Sequence, residues 1–443
     1  MKPVRHAVVL LFISSTAFAQ DAARMEQVIQ SHVQNRTFMG SVLVAKGDTV
    51  LLNKSYGSAS LELDVPHAPA TKFRIGSITK QFTAASILLL EERGQLTTSD
   101  PIKKHMPDAP AAWDGITLHH LLTHTSGIPN FTGLKEYAAL RGASTTVDKT
   151  IAVFRDKPLD FPIGEKMVYS NSGYLVLGHV IEKLSGGSYE AFLQANVLTP
   201  LGMTDSGYDS NTRIIPRRAS GYLPGPGGFV NAGYVHMTVP HAAGALYSTT
   251  GDLLKWERAL LGGKLLSAAS LQKMLTPNKA DYAYGVIVRS PNGRRQIWHN
   301  GGIDGFNASM GHYPDSGLTI VVLGNVNGSA PDQIAAQLGA IGHGDKVQLP
   351  TERTEIPLPS AASAYAGVYE LAPGVTIMVT QKGGQMFAQL TGQPPIAIFA
   401  ASATAFFLKA VDAQITFGAD GGAVTHLVLH QNGRDQKAIR RQP

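Results

Sequence analysis

Ser77 and Lys80 stand three residues apart in Gly76-Ser77-Ile78-Thr79-Lys80, at the head of an apolar run that continues to Leu90. On a helix that spacing puts both side chains on one face. A serine hydroxyl is a poor nucleophile until a neighbouring base takes its proton. A lysine one turn away is such a base when its surroundings hold it partly neutral. The spacing alone proves little: Ser270-Leu271-Gln272-Lys273 repeats it and reads as an ordinary amphipathic surface helix.

Two further stretches carry polar groups in dense company. Tyr169-Ser170-Asn171 precedes an apolar helix that begins near Leu175. A phenol can pass a proton, and an amide can hold a substrate carbonyl or amide. By residue type alone, Asn171 is read as a helix cap and Tyr169 as a packed ring. His299-Asn300-Gly301-Gly302 lies between strand-like segments, where glycines let a ligand approach the backbone or simply make a hairpin turn. His120 and His124 stand at i, i+4 in Ile116 to His124, but Leu121 fills the place of a general base and no third ligand is evident. That helix is read as structural, with no metal and no cofactor expected.

The elements that must hold these groups follow the hydrophobic pattern. Met25, Val28, Ile29 and Val33 recur at helical spacing. Ser41 to Ala45 and Thr49 to Asn53 flank a Lys46-Gly47-Asp48 turn and predict a hairpin. The segment from Ile78 to Leu90 has almost no polar stripe, which predicts a buried helix stopped at Arg93-Gly94. Gly221 to Gly233 predicts a mobile loop, and a helix is expected from Thr250. Strands are expected at Tyr284–Arg289, Gln296–His299 and Leu318–Leu323. Strands at both ends with helices between predict an α+β domain, an antiparallel sheet flanked by helices.

The chain has 443 residues and no cysteine, so disulfides and thiolate metal sites are excluded. Residues 1–19 read as a secretory signal: Lys2 and Arg5, an apolar core from Ala7 to Ile13, and Ala17-Phe18-Ala19 before Gln20. The apolar run is shorter than the ~20 residues a spanning helix needs, so no stable membrane insertion is expected. A periplasmic or secreted protein follows as the expectation. Without Lys2 and Arg5, 36 basic residues face 32 acidic ones, a spread-out excess with no basic run that would fit nucleic acid. The partner expected is a small-molecule or peptide substrate.

Ser77-Ile78-Thr79-Lys80, Tyr169-Ser170-Asn171 and His299-Asn300-Gly301, in that order, resemble the three active-site elements of the serine β-lactamase and penicillin-binding protein superfamily. Within it the chain is similar to the branch of class C β-lactamases, DD-carboxypeptidases and related esterases. Leu121-Leu122-Thr123-His124-Thr125-Ser126-Gly127, Pro200-Leu201-Gly202-Met203 and Ser248-Thr249-Thr250-Gly251-Asp252 support it, over residues about 25 to 345. The resemblance implies a sheet built from both ends of the domain, with a helical domain inserted between. It implies that Ser77 is acylated, that Lys80 and Tyr169 share proton transfer, and that Asn171, His299 and Gly301 bind substrate. The backbone amides of Ser77 and Gly302 would form the oxyanion hole. One departure matters: β-lactamases typically carry Lys-Thr-Gly where His299-Asn300-Gly301 stands. Histidine offers no fixed charge to a substrate carboxylate, so a peptidase or esterase is expected over an efficient β-lactamase. The alternatives are a penicillin-binding sensor that acylates without turnover and a degenerate structural member. The intact Ser77, Lys80, Tyr169 and Asn171 argue against the latter.

Residues 349–363 hold Pro350, Pro357 and Pro359 and are expected as a linker between a hydrolase domain at 20–348 and a C-terminal domain at 364–443. The last stretch changes to short strands with turns at Lys382-Gly383-Gly384, Asp420-Gly421-Gly422 and Asn432-Gly433. That predicts a small all-β barrel or sandwich, and it resembles the lipocalin-like tail of some superfamily members.

Overall fold

A computed structural model describes residues 7–225, 228–347, 355–408, 413–431 and 434–441, with side chains from Gln20 onward. Lys2 and Arg5 of the expected signal lie outside the described residues, as does the Asn432-Gly433 turn.

Six antiparallel strands make the central sheet: β1 (Gly40–Lys46), β2 (Thr49–Tyr56), β3 (Ile287–Arg289), β4 (Gln296–Ile303), β5 (Phe306–Tyr313) and β6 (Leu318–Gly324), in the order β3-β4-β5-β6-β1-β2. Both ends of the domain thus meet where β1 pairs with β6, Val42 opposite Val322. These two central strands are apolar without alternation because both faces are covered. Leu43, Val321 and Leu323 join the larger core, while Val42, Val44, Ile320 and Val322 face a second one with Met25 and Ile334. The second core belongs to helices α1 (Ala7–Gln34) and α6 (Ala330–Gly342).

On the other face lie α2 (Thr79–Glu92), α3 (Leu118–Leu122), α4 (Asn171–Ser185) and α5 (Thr250–Leu261). Helix α2 is buried on every side from Thr79 to Leu90, as a sequence with almost no polar stripe requires. It ends where Gly94, at φ +71°, closes the last turn onto Glu91. Helix α5 is capped by Thr249, whose hydroxyl accepts from the Asp252 amide.

Three expectations need correction. The 221–233 stretch contains a hairpin, Tyr222–Gly225 with Gly228–Asn231, tied to the domain by Tyr222 N–H donating to Asn325 O at 2.9 Å. Only Ile287–Arg289 of the expected 284–289 strand pairs in the sheet. Asn300 to Gly302 are not a turn. They continue β4, and the turn falls at Asp304-Gly305 before β5, a strand not anticipated.

The C-terminal strands β7 (Gly367–Ala372), β8 (Val375–Lys382), β9 (Gln385–Leu390), β10 (Ile396–Ala400), β11 (Ala405–Leu408), β12 (Ala413–Asp420), β13 (Ala423–Gln431) and β14 (Arg434–Arg440) pair consecutively, and β7–β14 pairing closes the barrel. Its interior is filled by Tyr369, Met386, Ile398, Phe406, Phe417 and Leu427 among others. The end of the stretch expected as a linker packs on it. Ile356 N–H donates to Ala400 O at 2.9 Å, and Ala362 is buried in the barrel's core cluster with Ile356 and Leu358 packed against it. Residues 348–354 lie outside the described residues.

Candidate active site

Ser77 sits in a single 3-10 turn, Gly76–Ile78, that runs directly into α2. Lys80 is in the first turn of that helix and has no exposed surface. Its Nζ lies 3.0 Å from Ser77 Oγ, 2.8 Å from Asn171 Oδ1 and 2.8 Å from the Ala243 carbonyl oxygen. Burial pushes its pKa well below the usual lysine range. A neutral amine has two N–H bonds and one lone pair. The two donors satisfy Asn171 and Ala243, and the lone pair is left facing the serine hydroxyl. Among the described residues no carboxylate pairs with this nitrogen, and beyond its three partners lie the rings of Tyr169 at 4.7 Å and Tyr174 at 5.4 Å.

Asn171 is the first residue of α4 and does not cap it: Ser170 occupies the cap position and makes no side-chain cap bond. The amide instead accepts from Lys80 and turns its Nδ2 toward Thr132 Oγ1 at 3.4 Å. Tyr169 ends the preceding loop. Its hydroxyl is buried and has no hydrogen-bond partner. Burial raises its pKa; Ser77 lies close enough to oppose that rise slightly, yet outside bonding geometry, so the phenol is neutral and unengaged. The second Ser-x-x-Lys pair is built differently: Lys273 bonds Glu91 at 2.8 Å, away from Ser270.

Strand β4 lies against the serine turn at backbone contact. A Cβ on Gly301 would fall 1.9 Å from Ile75 O and 3.1 Å from Ser77 N. Gly76, at φ +50°, would put one 2.8 Å from Gly302 N. Glycine is required at both positions. The approach brings the Gly302 and Ser77 amides to one edge of the cleft.

His299 does not reach that cleft. It is 2% exposed, with Nε2 3.0 Å from Tyr282 OH and Nδ1 2.5 Å from Asn300 O. Burial first, then Lys80, lowers its pKa to about 4. The expected contact with substrate is therefore absent from the geometry. The ring stands behind Tyr169, 6.3 Å away between centroids, and is neutral. His120 and His124 do not converge either. His120 Nδ1 closes a capping box with Thr117 at the start of α3, and His124 packs among tyrosines.

Above Ser77 opens a cavity of about 280 Å³, bordered by Asn171, Gly244 and Gly302. Phe131, Tyr137, Val235, Val239 and Ile303 give it an apolar wall. Among the described lining residues one is charged, Asp304, and its Oδ1 is bonded at 2.5 Å by Arg141. Ala243, Phe131 and Thr132 were not singled out by sequence. Their types carry no chemical signal, and only the fold brings them to the serine.

Comparison with known proteins agrees with this geometry. The Beta-lactamase family model matches residues 25–343, and a domain of unknown function, DUF3471, matches 352–442. Penicillin-binding protein 4* of Bacillus subtilis (strain 168) is 29% identical over 94% of this chain and 98% of its own length. The putative penicillin-binding protein PbpX of the same organism is 31% identical over 67% of this chain and 73% of its own. Among solved structures, the octameric penicillin-binding protein homologue from Pyrococcus abyssi covers 94% of this chain and 99% of its own at TM-score 0.66 and 26% identity. D-amino acid amidase from Ochrobactrum anthropi SV3 shares the fold at TM-score 0.62 and 24% identity, over 68% of this chain and 91% of its own. The chain belongs to the Beta-lactamase family, a serine hydrolase built on the penicillin-binding protein fold with a closed C-terminal barrel.

Proposed function

We propose that the protein cleaves amides or esters through an acyl-enzyme on Ser77. The observation that carries this is the buried Lys80 amine, whose lone pair is left for the Ser77 proton. Ser77 Oγ attacks the substrate carbonyl carbon as its proton passes to Lys80 Nζ, forming a tetrahedral oxyanion between the Ser77 and Gly302 amides. The C–N or C–O bond then breaks, and the Tyr169 hydroxyl, recharged from Lys80, protonates the leaving group. Water attacks the acyl-enzyme by the same route in reverse and frees Ser77. Asn171 and Gly301 border the acyl group, and Asn171 Nδ2 is the donor for its amide.

The cavity wall favours an uncharged or amine-bearing substrate with an apolar side chain over one with a carboxylate. Among the described lining residues a carboxylate meets no free cation: the Arg141 guanidinium beside Asp304 is already bonded to it, and His299 is neutral and buried. That supports amides, small esters and D-amino-acid peptides with a free amino end over penicillins and cephalosporins. A sensor that acylates without turnover is the second reading, separated by a burst without steady state. Export of the chain after Ala19, to the periplasm or medium, remains part of this proposal and is tested by N-terminal sequencing of the exported protein.

The test is a panel of p-nitrophenyl esters, D-phenylalanine amide with and without N-acetylation, and nitrocefin. Wild type is expected to turn over the esters and the free-amine amide faster than nitrocefin, and Ser77→Ala to lose all three. Turnover that survives Ser77→Ala overturns the nucleophile; nitrocefin as the best substrate overturns the substrate class.

A further inference from the structure

His124 lies outside the chemistry just described, yet it grips the residue that chemistry depends on. It follows α3 with φ +57°, a left-handed conformation that asparagine, aspartate and histidine tolerate better than other side chains. Its carbonyl oxygen accepts from Val168 N–H at 3.0 Å, and its Nδ1 accepts from Ser170 N–H at 3.2 Å. Both neighbours of Tyr169 are thus bonded to one residue. The imidazole lies against the Tyr169 ring, 4.3 Å between centroids at 41°, and against Tyr282 at 4.5 Å and Tyr174 at 5.1 Å. The ring is 2% exposed. With Nδ1 accepting, the neutral ring carries its proton on Nε2, which is buried and has no hydrogen-bond partner. A core position seldom leaves a polar nitrogen so; a plain aromatic ring would pack here without that cost.

We propose that His124 is the positioning residue for Tyr169, a clamp that fixes where the phenol hydroxyl stands beside Ser77 without touching substrate. Tyr169 needs such a clamp because its own hydroxyl has no partner to locate it. Three properties of the residue are used together: tolerance of the left-handed backbone, an acceptor at the reach of Nδ1, and a flat ring face. Asparagine keeps the first two. Phenylalanine keeps only the third. The inference rests on Tyr169 acting in proton transfer.

The experiment measures kcat and KM for D-phenylalanine amide, whose nitrogen must take a proton to leave, in His124→Asn, His124→Phe and His124→Ala, each alone and combined with Tyr169→Phe. Circular dichroism and the thermal midpoint report the folded fraction of every sample. His124→Ala is expected to lower kcat about tenfold to a hundredfold, the scale of a misplaced reacting group, with KM changed less than about twofold. His124→Asn should recover most of that loss and His124→Phe less. In the Tyr169→Phe background all three should cost less than about twofold. If His124→Asn or His124→Ala costs the same factor in both backgrounds, or if His124→Phe recovers more than His124→Asn, the clamp is refuted. A wild-type rate in Tyr169→Phe alone overturns the role of Tyr169 instead, and is read before any His124 variant. Should His124→Ala fail to fold, the Asn and Phe variants decide the question between them.

Discussion

Lys80 and Tyr169 are the residues whose protonation the chemistry exchanges, and burial without a counter-charge favours the neutral form of each. Groups that hand one proton between them lose function together. Lys80→Ala and Tyr169→Phe are each expected to reduce kcat by several orders of magnitude on an amide substrate, whose leaving nitrogen needs a proton, and the double variant by little more. Fully additive losses would show two separate jobs. The same reasoning gives a sign for pH. Because Lys80 is depressed, its neutral form is present above its folded pKa, so kcat/KM should rise with pH on one acid limb and flatten before the ordinary lysine range. His299 behaves differently from what its type promises. With a pKa near 4 it carries no charge at pH 6 or pH 8. The ratio of rates on carboxylate-bearing and neutral substrates should therefore stay level between those values. A ratio that climbs toward pH 6 would require His299 to titrate there, against its burial.

At the scale of elements, catalysis depends on how closely strand β4 lies to the Gly76–Ile78 turn. Gly301→Ala places a methyl carbon at 1.9 Å from a carbonyl oxygen of Ile75, a distance no packing adjustment of side chains can relieve. The strand or the turn must move, and the two amides at the oxyanion edge move with it. Loss of one such donor costs about 10²–10³ in kcat, and a loss in this range is expected for Gly301→Ala. A circular dichroism spectrum unchanged from wild type would show that the sheet survives; full activity would show that the approach is not needed. These features were unevenly legible in the sequence. The Ser77–Lys80 face, the buried α2 and the β1–β2 hairpin follow from local periodicity. Strand β5 is hidden in the sequence because Asn307, Ser309 and His312 interrupt its apolar pattern: Ser309 and His312 bond across the sheet to Trp298 and Thr319, and Asn307 accepts from Asn327 in the loop after β6. Asn171 was read as a cap because nothing local shows that Lys80, 91 residues away, takes its oxygen.

For the whole molecule the same contrast holds between periodic and long-range information. The barrel was predictable from evenly spaced turns, but not its closure, which depends on Tyr369 meeting Arg440 across the full length of the domain. Stability against acid is likewise a property of partners far apart. His67 stacks on Phe73 and bonds Asn325 through Nε2 at 3.0 Å, while Nδ1 is buried without a partner. Asn325 gives both its N–H bonds to the Ser58 and Ser220 carbonyls, so its oxygen faces the ring and His67 must donate from Nε2. Protonation would place a second proton on the unpartnered Nδ1, and burial lowers the pKa to about 4. The unfolded chain binds that proton near pH 6.5. Between those values the unfolded state holds more protons, so stability falls as pH drops from about 6.5 to 4 and is level above that window. His299, also near 4, adds to the same slope. Each histidine contributes at most about 1.4 kcal/mol per pH unit. The thermal midpoint of the wild type is expected to decline from pH 6.5 to pH 4.5. His67→Gln, which keeps a donor for Asn325 but cannot titrate, should be less stable at pH 7.5 yet show a shallower decline. Parallel curves for the two proteins would mean that His67 is already charged, or already exposed, in the folded state.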